Sequence, residues 1–558
     1  MSALFRARTL RRTGAAVFFV LLLALHAGAH AAREAIASAH PLATEAGMQV
    51  LAQGGNAFDA AVAVASTLAV VEPFSSGLGG GGFFLLHRAS DGFETMVDAR
   101  ETAPARAGPD LYLTADGKID ASASVDGAKA AAIPGLPAGL VWVAQRYGRE
   151  PLATSLAPAI RIAQEGFATD ARYALVAGFR AAKLKTDPVA AGIFLDRDSA
   201  PAPGFVVRQP ELAATLAAIA LEGRDGFYQG EIAQRMVAAV RAGGGIWELE
   251  DLRRYAVVER TPQRFTYRGA RVVCASLPSA GGLTLAQSLQ ILERFPLSRL
   301  EPVERIHLVA EALRRGYQDR ARYLGDPDFV HVPDWLASRA YADRRAAGIN
   351  LARATPSAEL AALHEGDNTT HFSVVDRDGN RVAATLSINL PFGAGVVAGD
   401  TGVLLNDEMD DFAIAPDVPN AYGLVGARGN QVEADKRPLS SMTPTFVEDE
   451  RGVLVFGTPG GSRIISMVLL GILDYVDSGA PDIERLVSAP RYHHQFLPDG
   501  IEYEPGAFSA AWIETLQAMG HSLKEGRRRW GNMQAVYVDR RSGEARGYSD
   551  PRGMGGGF

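Results

Sequence analysis

Apolar residues change their spacing along the chain. From Pro41 to Val71 they recur at helical intervals: Met48-Gln49-Val50-Leu51 closes at Gly54-Gly55, and an alanine-rich helix opens after Asn56, a side chain suited to an N-cap. Gly77 to Gly82 then breaks the helix and feeds the run Phe83-Phe84-Leu85-Leu86, read as a buried strand. Residues 94–98 pair with 83–87 across Ser90-Asp91-Gly92, which delivers Arg100-Glu101 at the end of the second strand. From about Gly135 to Gly348 the spacing is mainly helical, interrupted by loops such as Ser276 to Gly282. After Gly366 it becomes that of hairpins: 371–376 with 381–389, 446–448 with 453–456, and 535–539 with 545–548. Strands at both ends and helices between predict an α+β fold, two antiparallel sheets face to face under helical layers.

Composition narrows what such a body can be. At 558 residues the chain exceeds one ordinary core, and 47% hydrophobic with 21% charged residues suits a folded, soluble protein. A net charge of -7 without long single-sign blocks argues against nucleic acid as a partner. The one cysteine, Cys274, forms no intrachain disulfide, and no metal site is expected, the adjacent His493 and His494 projecting to opposite sides of a strand. The glycines at 77–82 lack the Lys-Ser/Thr of a phosphate loop and lead into a strand, so their expected role is close backbone approach beside a site.

The first residues read as an export signal. Arg6, Arg8, Arg11 and Arg12 precede the apolar run Ala15 to Leu25, and the small residues Ala27 to Ala31 follow. That run is far short of the roughly 20 residues a membrane span requires. Cleavage after Ala29 or Ala31 and a periplasmic location are expected.

Asn368-Thr369-Thr370-His371 places threonines at a strand entry directly after a polar loop. Taken alone this is an ordinary strand start, and Asn368-Thr369-Thr370 also fits a glycosylation sequon. Its company changes the reading: Gly54 to Ala60, Asp98 to Pro104, Leu405 to Phe412, Lys436 to Met442, Pro459 to Arg463 and Ser549 to Arg552. From about Ala37 to the C-terminus, these strings resemble the γ-glutamyltranspeptidases, members of the N-terminal nucleophile hydrolases.

The resemblance implies a four-layer αββα sandwich with a largely helical insert in the large subunit. It also implies a precursor that cuts itself between Asn368 and Thr369, after a signal peptide at 1–31, into subunits 32–368 and 369–558 that stay together as a heterodimer. The chemistry is consistent: a threonine hydroxyl needs a base, and the α-amine of the same residue, with an ordinary pKa of about 7.7–8.0, appears only after that cut. Thr369 would then take the γ-glutamyl group from glutathione or related donors and pass it to water, an amino acid or a dipeptide. Ser387, two residues before Asn389 and where the family usually has threonine, keeps the hydroxyl that contacts Thr369. Gly460 and Gly461 would supply oxyanion donors. A γ-glutamyl group ends in a zwitterion, so the resemblance assigns Arg100, Ser440 and Ser441 to its carboxylate and Glu408, Asp411 and Asn389 to its ammonium, the opposite charges held apart. Pro416 to Gly426, with Tyr422, resembles a lid loop. No cofactor is implied. Two other readings share parts of the pattern: an acylase removing glutaryl side chains from β-lactams, and an exported solute-binding protein in which the threonines are structural.

Overall fold

The computed structural model describes residues 33–357, 369–414, 418–426 and 428–557. The export segment and Asn368 lie outside these residues, as do Pro416 and Asp417 of the lid string. Among the described residues, thirteen strands form the two main sheets. The first contains β1 (Ala35–Ser38), β2 (Gly81–Arg88), β3 (Phe93–Ala99), β4 (Val258–Arg260), β7 (Thr370–Val375), β8 (Arg381–Ser387) and β13 (Gly556–Gly557), in the spatial order β13-β1-β7-β8-β2-β3-β4. The second contains β5 (Gln263–Tyr267), β6 (Ala270–Cys274), β9 (Thr445–Glu448), β10 (Gly452–Gly457), β11 (Gln534–Asp539) and β12 (Ala545–Ser549), in the order β12-β11-β10-β9-β6-β5.

The period of two along each strand builds the layers. On β2, Phe84 and Leu86 join the core beneath the first sheet's helices, while Leu85 points the other way. On β10, Leu454 and Phe456 face the second sheet's helices and Val455 faces inward. Leu85, Val375 and Ala383 from one sheet thereby meet Val273, Phe446, Val455 and Val536 from the other. The central strands β2, β7, β8, β9 and β10 are buried on both faces apart from a few positions, while the edge strands β4, β5 and β12 are partly exposed.

Helix α1 (Pro41–Ala52) leads to α2 (Ala57–Val71), which is buried along its whole length against the first sheet. Asn56 caps α2 as anticipated: its Oδ1 accepts from Phe58 N at 2.9 Å and Asp59 N at 3.1 Å, and Asp59 Oδ2 accepts from Asn56 N at 2.9 Å. Helices α3 (Gly281–Leu292), α4 (Pro302–Tyr323) and α5 (Arg463–Asp477) cover the second sheet.

All the hairpins anticipated from spacing are present, with Phe83 opposite Asp98, Arg381 opposite Val375, and Phe446 opposite Val455. The helical reading of 135–348 needs correction: besides β4 and a short pairing of Phe167–Ala168 with Val206–Val207, it contains a full hairpin. This hairpin, β5–β6, pairs with β9 and completes the second sheet. Its turn is Arg268-Gly269, with φ of 47° and 88°, a left-handed pair that matches the twist of the flanking strands.

The glycines at 79–82 let backbones approach one another. A Cβ on Gly80 would sit 2.1 Å from Ser387 O, and one on Gly79 would sit 2.0 Å from Leu404 O. Gly80→Ala should therefore push on the strand end that carries Ser387 and cost about 1–3 kcal/mol or more. A thermal melt is expected to show a clear drop in Tm; an unchanged melt would contradict the close approach.

Candidate active site

Thr369 stands immediately before β7, which lies inside the first sheet between β1 and β8. The register sets Thr370 opposite Leu386, so Thr369 falls beside the end of β8 and its Oγ1 lies 3.2 Å from Ser387 Oγ. Ser387 Oγ also accepts from Asn389 N at 2.9 Å, and Asn389 turns the chain with φ of 71°. Thr370 is pinned from the other side, its hydroxyl donating to Glu72 Oε2 at 2.8 Å. Glu72 is buried, and burial raises its pKa. Sequence reasoning did not single out Glu72; its signal was a carboxylate at the end of an otherwise apolar helix.

A narrow cleft opens above Thr369, lined by Arg100, Ser387, Asn389, Glu408, Asp411, Tyr422, Ser440, Ser441 and Gly461, with Leu424, Met442, Ser462 and Ile464. Of the residues predicted for the site, Gly460 stands just behind this lining. Gly460 (φ 140°) and Gly461 (φ 56°) form the turn from β10 into α5, a backbone that favours glycine. Among the described residues neither N–H donates to another group. They lie at the N-terminus of a 15-residue helix, where the peptide dipoles favour negative charge.

Charge is arranged differently from the separated ions predicted for a zwitterion. Arg100 NH1 donates to Glu408 Oε2 at 2.6 Å and reaches Glu101 Oε2 at 3.4 Å, while NH2 donates to Asp411 Oδ2 at 2.5 Å. Its Nε donates to Pro438 O at 3.2 Å. Direct pairing is what burial demands, since Arg100 and Glu408 are each only 1% exposed and an isolated charge there would be costly. Burial alone would lower the Arg100 pKa, but Glu408, Asp411 and Glu101 more than offset it and hold the group cationic. Burial pushes Glu408 up to about 7 against the pull of Arg100, and burial together with Glu408 raises Glu101 well above the carboxylate range.

Recognisable strings also serve the scaffold. Asn406 donates to Gly79 O at 2.6 Å and Ala132 O at 2.8 Å, and accepts from Ala132 N at 3.0 Å and Glu408 N at 2.9 Å, so it fixes the turn that presents Glu408. Ser279 donates to Met442 O at 2.5 Å and Ala280 N donates to Ser440 O at 2.8 Å, stitching the serine pair to the loop before α3. Asp550 and Arg552 pair with Arg491 at 2.5 Å and Glu504 at 2.6 Å, away from the cleft lining.

The segment 418–426 is anchored over the cleft. Asn420 donates to Asp411 Oδ1 at 3.3 Å, Ala421 N to Asp410 Oδ2 at 2.9 Å, and Tyr422 OH to Asn389 O at 2.9 Å. The Tyr422 ring lies against Gly461, where a Cβ would come within 2.3 Å of it. Gln495, another residue sequence reasoning missed, donates from Nε2 to Tyr422 O at 3.1 Å and accepts at Oε1 from Ser462 Oγ at 2.6 Å. It ties the covering loop to the glycine turn. Among the described residues no group of three or more His, Cys, Asp or Glu is placed to hold a metal ion, and no helix is long and apolar enough to cross a membrane.

A sequence model of the gamma-glutamyltranspeptidase family matches residues 43–558. The chain belongs to that family. It is 42% identical to the glutathione hydrolase proenzyme of Escherichia coli, over 93% of this chain and 90% of that one. It is 41% identical to the proenzyme of the same name from Pseudomonas aeruginosa, over 94% of each. Among solved structures, a cephalosporin acylase from Bacillus halodurans superposes with a TM-score of 0.81 at 28% identity, covering 95% of this chain and 96% of that chain. The gamma-glutamyltranspeptidase of Helicobacter pylori matches with a TM-score of 0.56 at 38% identity, over 57% of this chain and 92% of the solved one. The αββα arrangement is accordingly that of the N-terminal nucleophile hydrolases, and the chain is an enzyme of this family.

The pH behaviour of Glu408 is testable. A carboxyl whose pKa rises from 4.5 unfolded to about 7 folded binds its proton more tightly in the native state, so stability falls as pH rises between those values. Glu408→Gln removes that slope. Melting scans from about pH 5 to about pH 8 should show the wild-type Tm falling more steeply than the variant's; parallel curves would contradict the buried, proton-sharing cluster.

Proposed function

We propose that this chain is the precursor of an enzyme that transfers the γ-glutamyl group of glutathione and related donors to water, amino acids or short peptides. The observation that carries the reading is one cleft in which Thr369 Oγ, Ser387, the Gly461 turn and the Arg100–Glu408–Asp411 cluster converge. In the precursor, Thr369 Oγ attacks the carbonyl carbon of Asn368. The peptide C–N bond breaks, the nitrogen becomes the α-amine of Thr369, and water hydrolyses the resulting ester.

In the mature enzyme that amine accepts the Thr369 hydroxyl proton as Oγ attacks the donor's γ-carbonyl. The Gly460 and Gly461 N–H groups stabilise the oxyanion, an interaction for which loss of one donor costs about 10²–10³ in rate. Collapse expels the donor's amine half, which takes the proton, and leaves a γ-glutamyl ester on Thr369. Water or an amine acceptor, deprotonated by the same α-amine, attacks that ester and frees Thr369. Glu408 and Asp411, with Asn389, receive the donor's ammonium, and Arg100, Ser440 and Ser441 its carboxylate. Insertion of a zwitterion opens the Arg100 pairs and replaces each with an ion of the same sign from the substrate, so charge balance in the buried cluster is kept.

The large piece, 32–368, and the small piece, 369–558, stay together as a heterodimer. Supporting this, β7 is flanked by β1, β8 is bonded to β2, and β9 to β6, so both sheets interleave strands from the two sides of the cut. The order of basic, apolar and small residues in the first 31 supports export, with action in the periplasm. The acylase reading shares the nucleophile; the buried carboxylate pair, placed to meet an ammonium, favours a γ-glutamyl donor over a glutaryl one.

Acid quenching during turnover of γ-glutamyl-p-nitroanilide, followed by peptide mass mapping, should locate a γ-glutamyl group on the peptide that begins with Thr369. A label on another residue, or acylation by glutaryl compounds alone, would overturn the reading.

A further inference from the structure

The cation that lines the cleft is already committed. Arg100 donates to Glu408, Asp411 and Pro438 O and reaches Glu101, so all its nitrogens already have acceptors. A donor carboxylate approaching this cluster meets like charge, which a low-dielectric wall amplifies. A second cation stands close by. Arg320, on α4, is 4% exposed, and among the described residues its guanidinium forms no ion pair; its Nε has no hydrogen-bond partner. Its hydrogen bond from the guanidinium runs from NH2 to Ser441 Oγ, at 3.4 Å. Burial lowers its pKa, and Asp411 is among the groups that counter this.

The helix that carries Arg320 backs the cleft at a second point. Tyr317, one turn earlier on the same face, donates its hydroxyl to Ser462 O. Ser441 and Ser462 both line the cleft. Because Ser441 Oγ accepts from Arg320, its own hydrogen points elsewhere, and the cleft is the side on which Ser441 is exposed. A hydroxyl polarised in this way is a stronger donor to an anion than a serine with no cation behind it.

We propose that Arg320 is a positioning residue for donor recognition: acting through the Ser441 hydroxyl, it supplies the positive potential that lets the carboxylate-rich cleft accept the donor's α-carboxylate. This rests on the γ-glutamyl reading above. It makes Arg320 a determinant of specificity for donors that carry that carboxylate.

The test compares L-γ-glutamyl-p-nitroanilide with 4-aminobutyryl-p-nitroanilide, which lacks the α-carboxylate, as substrate or competitive inhibitor of the processed enzyme. Arg320→Met should raise KM for the γ-glutamyl compound by about 10- to 100-fold with kcat within a few-fold. The constant for the 4-aminobutyryl compound should stay put, and Arg320→Lys should recover most of the difference. If Arg320→Met prevents maturation, Arg320→Gln, which keeps a donor for Ser441 without the charge, gives the same comparison. Equal changes for both compounds, or none, would assign Arg320 a structural role and overturn the proposal. A wild-type enzyme that binds neither compound would overturn the γ-glutamyl reading and this inference with it.

Discussion

A residue that must become the first of its chain and yet stand inside a sheet can be held only by its neighbours. Thr369, proposed as that residue, can meet this constraint because the strand it opens is gripped on both sides, by β1 along one edge and β8 along the other. The side chain of Thr370 adds a lateral pin to Glu72. The proposed cut before Thr369 leaves in place the ladder pairing of Thr370 to Val375. On the proposed cut, the same interleaving would leave the two pieces no route to separate without opening both sheets, and processing would change the chemistry at one nitrogen.

The second organising feature is charge in a dry place. Arg100, Glu101 and Glu408 are buried deeply enough that an isolated charge on any of them would be costly, and Asp411 joins them from the cleft side. Such a cluster is costly to assemble, and the scaffold holds it in place: Asn406 fixes the turn before Glu408, Tyr255 OH caps Arg100 O at 2.8 Å, and Asp98 accepts from Arg100 N at 3.0 Å. Over it lies the loop at 418–426, tied down through Asp410, Asp411, Asn389 and Gln495. The covering loop and the turn that carries Gly460 and Gly461 are thus joined through one amide side chain.

Much of this was legible in the sequence where local chemistry decides structure. The Asn56 cap and the hairpins flanking Asp378-Gly379 and Ser542-Gly543 are set by residues near one another in the chain. The hairpin at 263–274 was hidden because it sits among helices and is stabilised by a partner strand about 170 residues later. The cleft residues were legible as motif strings, but their pairing was not, since Arg100 and Glu408 are 308 residues apart and only burial forces them together. Arg320 and Gln495 were illegible for a related reason. Each acts through a residue that was recognised, Ser441 or Tyr422, and nothing in the linear sequence marks a side chain that works from behind.

The central claim is that the nucleophile's base comes into being when the chain is cut. Intact mass of the purified protein, paired with N-terminal sequencing of its small component and an activity assay on the same sample, tests it most directly. The account requires two components meeting between Asn368 and Thr369, with activity that tracks the cut form. Full activity from a chain still continuous across that junction would contradict it.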